Sequence, residues 1–400
     1  NNDENTPKQS STNSAYNTIR DTYFVTAATE HTCALTNYND VYCWGEGEDY
    51  RLGHGSTTDS TIPVQVQFPN HRSVEMIATH SSHNCALMDN GAVYCWGNNT
   101  DGQIGIGYKS GYSYYPSRSH LPSASMAVAI SVGDSFSCAV LSNGTITCWG
   151  GNDLGQLGDG TNTNTTSPST FVTLGQNAIS VSSGDSHSCA IMQDGRVACW
   201  GNNDYGQLGD GTLVDKNSPV YAQLPNSKSA VMIDVGISHT CAVMDDGTLY
   251  CWGLNANYQL GDGTNTFRST PIASNLPNGI SASLVTTGEG HTCILTNAST
   301  IYCMGANSDG QLGDSTTVSR NSFTETHWNR NNSRNTLYYT NGFQSSAKFS
   351  ISGWGEQYSM TSTQIPQGIS LNHVASSIDY DGNHPIDSNI TVFANSTDNS

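Results

Sequence analysis

Twelve cysteines stand in six pairs: Cys33 with Cys43, Cys85 with Cys95, Cys138 with Cys148, Cys189 with Cys199, Cys241 with Cys251, and Cys293 with Cys303. Every pair encloses nine residues. First members step along the chain by 52, 53, 51, 52 and 52 residues, and no cysteine is left over. Such a period implies one structural unit copied many times, each burying its apolar surface against its neighbours. Trp-Gly follows the second cysteine in five copies and Met304-Gly305 in the sixth. One more period leads to Gly353-Trp354-Gly355, with Phe343 and Gly353 at the cysteine positions, and this reads as a seventh, degenerate copy.

In "CALMDNGAVYCWG", residues 85–97, apolar residues flank an Asp-Asn-Gly turn, a hairpin signal. The two cysteines are symmetric about Asn90, so they face each other across antiparallel strands at a separation a disulfide accepts. Zinc is the rival reading, because His31, His83, His187, His239 and His291 each precede a first cysteine by two residues. Yet zinc takes four ligands and each copy offers three. Copy three also places Phe136 at the histidine position and keeps both cysteines. Disulfides are therefore expected, with an oxidising compartment, and the histidines are expected to be structural hydrogen-bonding residues.

A glycine-rich segment follows each hairpin, "GQLGDGT" at 155–161 and 206–212 and its variants. Prolines come 19 residues after the tryptophan at Pro63, Pro168, Pro219 and Pro271, and 20 after it at Pro116, while copy six has Phe323 there. Helical periodicity is absent from the repeats. Short strands in a unit of about 50 residues, copied seven times, predict an all-β fold: a seven-bladed β-propeller with six intra-blade disulfides and a degenerate seventh blade. Residues 1–21 read as a polar extension, 22–366 as the propeller, and 367–400 as a tail with a strand-like segment, "SNITVFAN", that closes the ring or links to another subunit.

The pattern G-x-x-H-T-C-A-L…G-x-V-Y-C-W-G-x-N…G-Q-L-G-D-G-T…P resembles the repeat of the regulator of chromosome condensation family over residues 22–366. The resemblance implies the seven-bladed propeller. Its eukaryotic members include the exchange factor for the GTPase Ran, and secreted bacterial members include a β-lactamase inhibitor. Systematically paired cysteines, strong negative charge and the lack of a basic tail depart from the nuclear exchange factor, so exchange activity is not expected. Secreted members of this repeat class bind other macromolecules with loops on one face.

Fourteen Lys and Arg against 33 Asp and Glu give a net charge of −19, which disfavours a nucleic-acid partner and an anionic membrane surface. No apolar stretch approaches the roughly 18 residues that span a bilayer. The opening "NNDENTPKQSSTNS" reads as the start of a processed chain. "GDSHS" puts Asp185, Ser186 and His187 in a row, but its relatives "GDSFS", "GISHT" and "GEGHT" recur with changed chemistry, so no catalytic set is assigned. Neither a cofactor nor a metal is expected. Asp379, Asp381, Asn383 and Asp387 loosely resemble a calcium loop but lack its glycine and its closing glutamate, so a plain turn is expected. Sequons begin at Asn98, Asn143, Asn164, Asn297, Asn331, Asn389 and Asn395, of which Asn143 and Asn297 fall at hairpin tips.

The reading is an extracellular or cell-surface protein that holds a protein or glycan partner on propeller-face loops. Two alternatives stand beside it: a filament or surface-layer subunit linked through its ends, and an enzyme acting on polysaccharide. The binding face is expected at copy two, where the usual "GQLGDGTNTNTTSP" becomes "GQIGIGYKSGYSYYPSRSH". There Tyr108, Tyr112, Tyr114 and Tyr115 crowd beside Lys109 and Arg118, the composition of binding hot spots.

Overall fold

The computed structural model describes residues 22–69 and 73–326, together with two three-residue strands, Asn335–Leu337 and Tyr358–Met360, that pair in parallel. The described residues form six blades where the sequence leads us to expect seven. The seventh copy, with Phe343, Gly353 and Trp354, lies outside them, as do most of the terminal segments.

Blade 1 is a meander of β1 (Thr22–Ala27), β2 (His31–Thr36), β3 (Val41–Gly45) and β4 (Ser60–Gln65). Blade 2 repeats it with β5 (Val74–His80), β6 (His83–Met88), β7 (Val93–Asn99) and β8 (Gly111–Arg118). Blade 3 has three regular strands, β9 (Ala127–Val132), β10 (Phe136–Leu141) and β11 (Ile146–Gly150). Only the bridges Ile146↔Val172 and Gly150↔Thr165 mark its outer edge. Blade 4 holds β12 (Ala178–Ser183), β13 (His187–Met192), β14 (Val197–Gly201) and β15 (Lys216–Tyr221). Blade 5 holds β16 (Ala230–Val235), β17 (His239–Met244), β18 (Leu249–Gly253) and β19 (Arg268–Ala273). Blade 6 holds β20 (Ala282–Thr287), β21 (His291–Thr296), β22 (Ile301–Gly305) and β23 (Arg320–Glu325).

The middle strands are buried along nearly their whole length, because each blade packs on the next on both faces. Alternation of apolar and polar residues is therefore lost in them, while the outer strands are mostly exposed or half-buried. Pro63, Pro116, Pro219 and Pro271 all fall on those outer strands, where a missing N–H costs no ladder bond.

Within each hairpin the cysteines are direct cross-strand partners, so the expected register holds in every copy. All six disulfides form. Cys33 is bonded to Cys43, Cys85 to Cys95 and Cys138 to Cys148 in blades 1 to 3. Cys189 is bonded to Cys199, Cys241 to Cys251 and Cys293 to Cys303 in blades 4 to 6. Their Cα atoms stand 4.0 to 4.1 Å apart.

The meander has two faces. Phe136 pairs with Gly150 and Ser137 with Val132, so first turns and third-to-fourth-strand loops share one face. The cysteine-hairpin tips, such as 142–145, lie on the opposite face.

Candidate functional site

The repeated motifs turn out to be the joints between blades. His83 Nε2 lies 2.9 Å from Ser137 Oγ of blade 3, and Ser137 donates its proton to the Gln103 carbonyl at 2.9 Å. That carbonyl also accepts the indole N–H of Trp149 at 2.9 Å. Because the hydroxyl proton is committed, His83 Nε2 must be the donor. The same unit runs from His187 to Thr240 at 2.9 Å and from His239 to Thr292 at 3.0 Å. From His31 it runs to Asn84 Oδ1 at 2.6 Å, which only accepts. Trp96, Trp200 and Trp252 donate to the Arg51, Gln156 and Gln207 carbonyls.

Burial holds the imidazoles neutral: the pKa of His31 falls to about 4 and those of His83, His187 and His239 to about 3. These histidines are therefore structural, as the sequence suggested, and the cysteines are used up in disulfides rather than held for zinc. The "GDSHS" string dissolves in the same way. Asp185 Oδ1 meets His80 Nε2 of blade 2 at 3.5 Å, while His187 faces blade 5.

The "GQLGDGT" loops are closed by one asparagine each. Asn255 Nδ2 donates to Asp262 Oδ1 at 3.1 Å and to the Thr264 and Thr266 carbonyls, while its Oδ1 accepts Leu260 N–H at 3.0 Å. Asn152, Asn203 and Asn307 repeat this set in blades 3, 4 and 6. Gly209 in this loop has φ +72°, and an added Cβ would stand 2.9 Å from the Trp252 indole of the next blade. Glycine is required there so that the tryptophan can seat.

Copy two keeps the asparagine, with Asn99 donating to the Tyr108 carbonyl at 3.0 Å and accepting Ile104 N–H at 3.1 Å, but its loop is longer. Its extra residue lets β8 run eight residues, and pairing with β7 extends to Asn98↔Tyr112 and Asn99↔Gly111. Tyr112 and Tyr114 reach back to Tyr50 of blade 1, with ring centroids 5.9 and 4.3 Å from it. They remain 43% and 54% exposed. Tyr50 has φ +62°, on the repeat position that Gly102, Gly155, Gly206 and Gly310 hold elsewhere, and so does Tyr258 at φ +67°. A bulky residue in this left-handed region is strained and persists only when its surroundings hold it.

Of the other residues expected here, Tyr115 lies over Gly55 of blade 1 and stays exposed, as does Tyr108. Lys109 pairs with Asp101 at 3.5 Å. Arg118 sits opposite Tyr94 at the far end of β8, about 13 Å along the strand from Tyr114. Tyr50 escaped the sequence reading, although its signal was present as a tyrosine in a glycine column of the repeat.

Carboxylates crowd beside the rings. Arg51 is buried among Glu30 (3.4 Å), Glu46 and Asp49 (3.8 Å). A hydrogen bond with Glu30, aided by burial, raises the pKa of the Glu46 carboxyl. At the equivalent junction of blades 3 and 4, an open groove is lined by Leu154, Asn162, Asn217, Pro219 and Val220. The calcium-like residues Asp379, Asp381, Asn383 and Asp387 lie outside the described residues.

An RCC1-like domain model matches residues 1–283, and a regulator of chromosome condensation (RCC1) repeat model matches 283–311. The ultraviolet-B receptor UVR8 of Arabidopsis thaliana is 31% identical over 74% of this chain and 68% of its own length. The E3 ubiquitin-protein ligase HERC2 of Homo sapiens is 31% identical over 66% of this chain, which spans only 6% of that protein. Human WBSCR16 superposes with a TM-score of 0.69 at 22% identity, covering 76% of this chain and 81% of that one. Prp20p of Saccharomyces cerevisiae superposes with a TM-score of 0.67 at 23% identity, covering 76% of each. With its blades, joints and repeat all of one kind, the chain belongs to the family of regulator of chromosome condensation (RCC1)-like β-propellers.

Proposed function

We propose that the chain is an extracellular or cell-surface protein-binding propeller whose partner seats at the junction of blades 1 and 2, on Tyr50, Tyr112 and Tyr114. One observation carries this reading. Tyr50 stands where four other blades have glycine and holds the positive φ of that repeat position, and its ring meets two tyrosines that stay half in solvent. Clustered, half-exposed tyrosines are a common source of binding energy. Relatives support a binding role. UVR8 is described as a receptor, and Prp20p is described through its binding to Gsp1p and histones. The six disulfides support an oxidising setting, and the degenerate seventh copy is read as the blade that closes the ring.

The test replaces Tyr112 and Tyr114 by alanine together and measures capture of partners from native extracellular material beside the melting temperature. Lost capture with an unchanged melting temperature supports the site. Intact capture with lowered stability reduces the tyrosines to packing. Binding to a glycan array that disappears in the same variant would reassign the partner as carbohydrate. Twelve free thiols in native material would remove the extracellular setting.

A further inference from the structure

Four of the sequons lie within the described residues, and their surroundings divide them. Asn98 is the last residue but one of β7 on the loop face, half-buried between blades. Its Nδ2 donates to Asp49 Oδ2 of blade 1 at 3.1 Å, and its Oδ1 accepts from Gln103 Nε2 at 3.0 Å and from Thr100. Asn164 is equally committed. Its Nδ2 donates to Asp101 Oδ1 of blade 2 at 3.0 Å, and its Oδ1 accepts Asn152 N–H at 2.9 Å. A sugar on either nitrogen would enter a joint between blades.

Asn143 and Asn297 are exposed at the hairpin tips of blades 3 and 6, three blades apart, on the opposite face. At Asn143 the Oδ1 accepts both Thr145 N–H at 3.0 Å and Thr145 Oγ1–H at 2.7 Å. This turn brings the sequon hydroxyl to its own amide and leaves Nδ2 without a protein partner among the described residues. Asn297 uses its backbone N–H on the Ser281 carbonyl at 3.1 Å, and its side chain makes no bond within the described residues.

We infer that Asn143 and Asn297 carry N-linked glycans and that the face holding Tyr50, Tyr112 and Tyr114 carries none at Asn98 or Asn164. The reaction joins Nδ2 to the anomeric carbon of an oligosaccharide borne on a polyisoprenoid diphosphate. The C–O bond to the diphosphate breaks, the lipid diphosphate leaves, and the amide gives up one proton. The inference rests on the exported setting proposed above. Both glycans would project away from the partner surface and mark the sides of the ring as different.

The full chain is secreted from a eukaryotic host behind a secretion leader, and the monodisperse fraction is treated with peptide N-glycosidase in ¹⁸O water before peptide mapping. Labelled aspartate is expected at positions 143 and 297, and unmodified asparagine at 98 and 164. Asn143→Gln and Asn297→Gln should each remove one glycan mass and leave the melting temperature unchanged. Asn98→Gln and Asn164→Gln should leave glycan mass unchanged and lower the melting temperature. Unmodified Asn143 or Asn297, or occupancy at Asn98 or Asn164 in the folded fraction, would overturn the inference. Absence of glycan from native material alone, with both tips occupied in the host product, would remove the exported setting and leave the site assignment standing.

Discussion

The hydroxyls of Ser183 and Ser188 lie 3.1 Å apart within blade 4. In blades 5 and 6 the residue equivalent to Ser188 meets the histidine of the preceding blade instead, as Thr240 meets His187. Blade 3 carries Phe136 at that histidine position, so Ser188 has no imidazole to receive and turns to a neighbour in its own sheet. One substitution in the repeat thus rewires a joint without leaving a buried hydroxyl unsatisfied.

Neutral buried histidines make the fold sensitive to acid. Their folded pKa values, near 3 to 4, lie below the unfolded value of about 6.5. The stability they contribute is fully present above about pH 6.5 and is lost as pH falls toward the folded values. Each is expected to cost up to about 2 kcal/mol between pH 7 and pH 5. Denaturant midpoints at pH 7, 6 and 5 check this. His239→Phe should lower stability at pH 7 by about 1 kcal/mol and flatten the acid limb. An unchanged limb would show that His239 titrates normally.

Removing one staple tests the hairpin cross-links. Cys189→Ala combined with Cys199→Ala opens a loop of eleven residues, counting both cysteines, and is expected to cost about 2 to 3 kcal/mol. Chemical denaturation under non-reducing conditions reads the loss. The blade should remain folded, because its buried core extends well beyond the two sulfurs.

The glycine column of the repeat predicts opposite outcomes at two positions. Gly206 has φ +78°, and an added Cβ would stand 2.4 Å from Ser269 Cα. Gly206→Ala should therefore lose about 2 kcal/mol or more in a thermal melt. Tyr50→Gly relieves the same backbone and should leave stability within about 1 kcal/mol of the parent while weakening partner capture. A large loss of stability in Tyr50→Gly would assign that ring to packing.

Asn255→Ala removes the side chain that closes the blade 5 loop. Three oxygens and the Leu260 N–H lose their shared partner, and a loss of about 2 to 3 kcal/mol is expected. Amide exchange should rise at Leu260 before it rises in β18.

Much of this architecture was legible because the chain repeats itself. Cysteine spacing placed both strands of each hairpin in register, while the prolines gave only the repeat period. The histidine relay was half legible. The position between histidine and cysteine holds Thr32, Asn84, Ser137, Ser188, Thr240 and Thr292, always a side chain able to hydrogen-bond. What could not be read was where those groups point, since each partner lies some 53 residues away on the next blade. Tyr50 was hidden for the same reason. Its ring partners, Tyr112 and Tyr114, belong to another copy of the repeat.

The exception at Phe136 has a mechanical meaning. Successive blades behave like links in a bracelet, each clasped to the next by an imidazole, and the clasp from blade 3 to blade 4 is the one that Phe136 omits. That junction keeps the Trp200 indole and the Ser131 hydroxyl, which accepts Ser183 N–H at 3.0 Å, but it has one fastening fewer. Under load or heat the bracelet should open first at this seam.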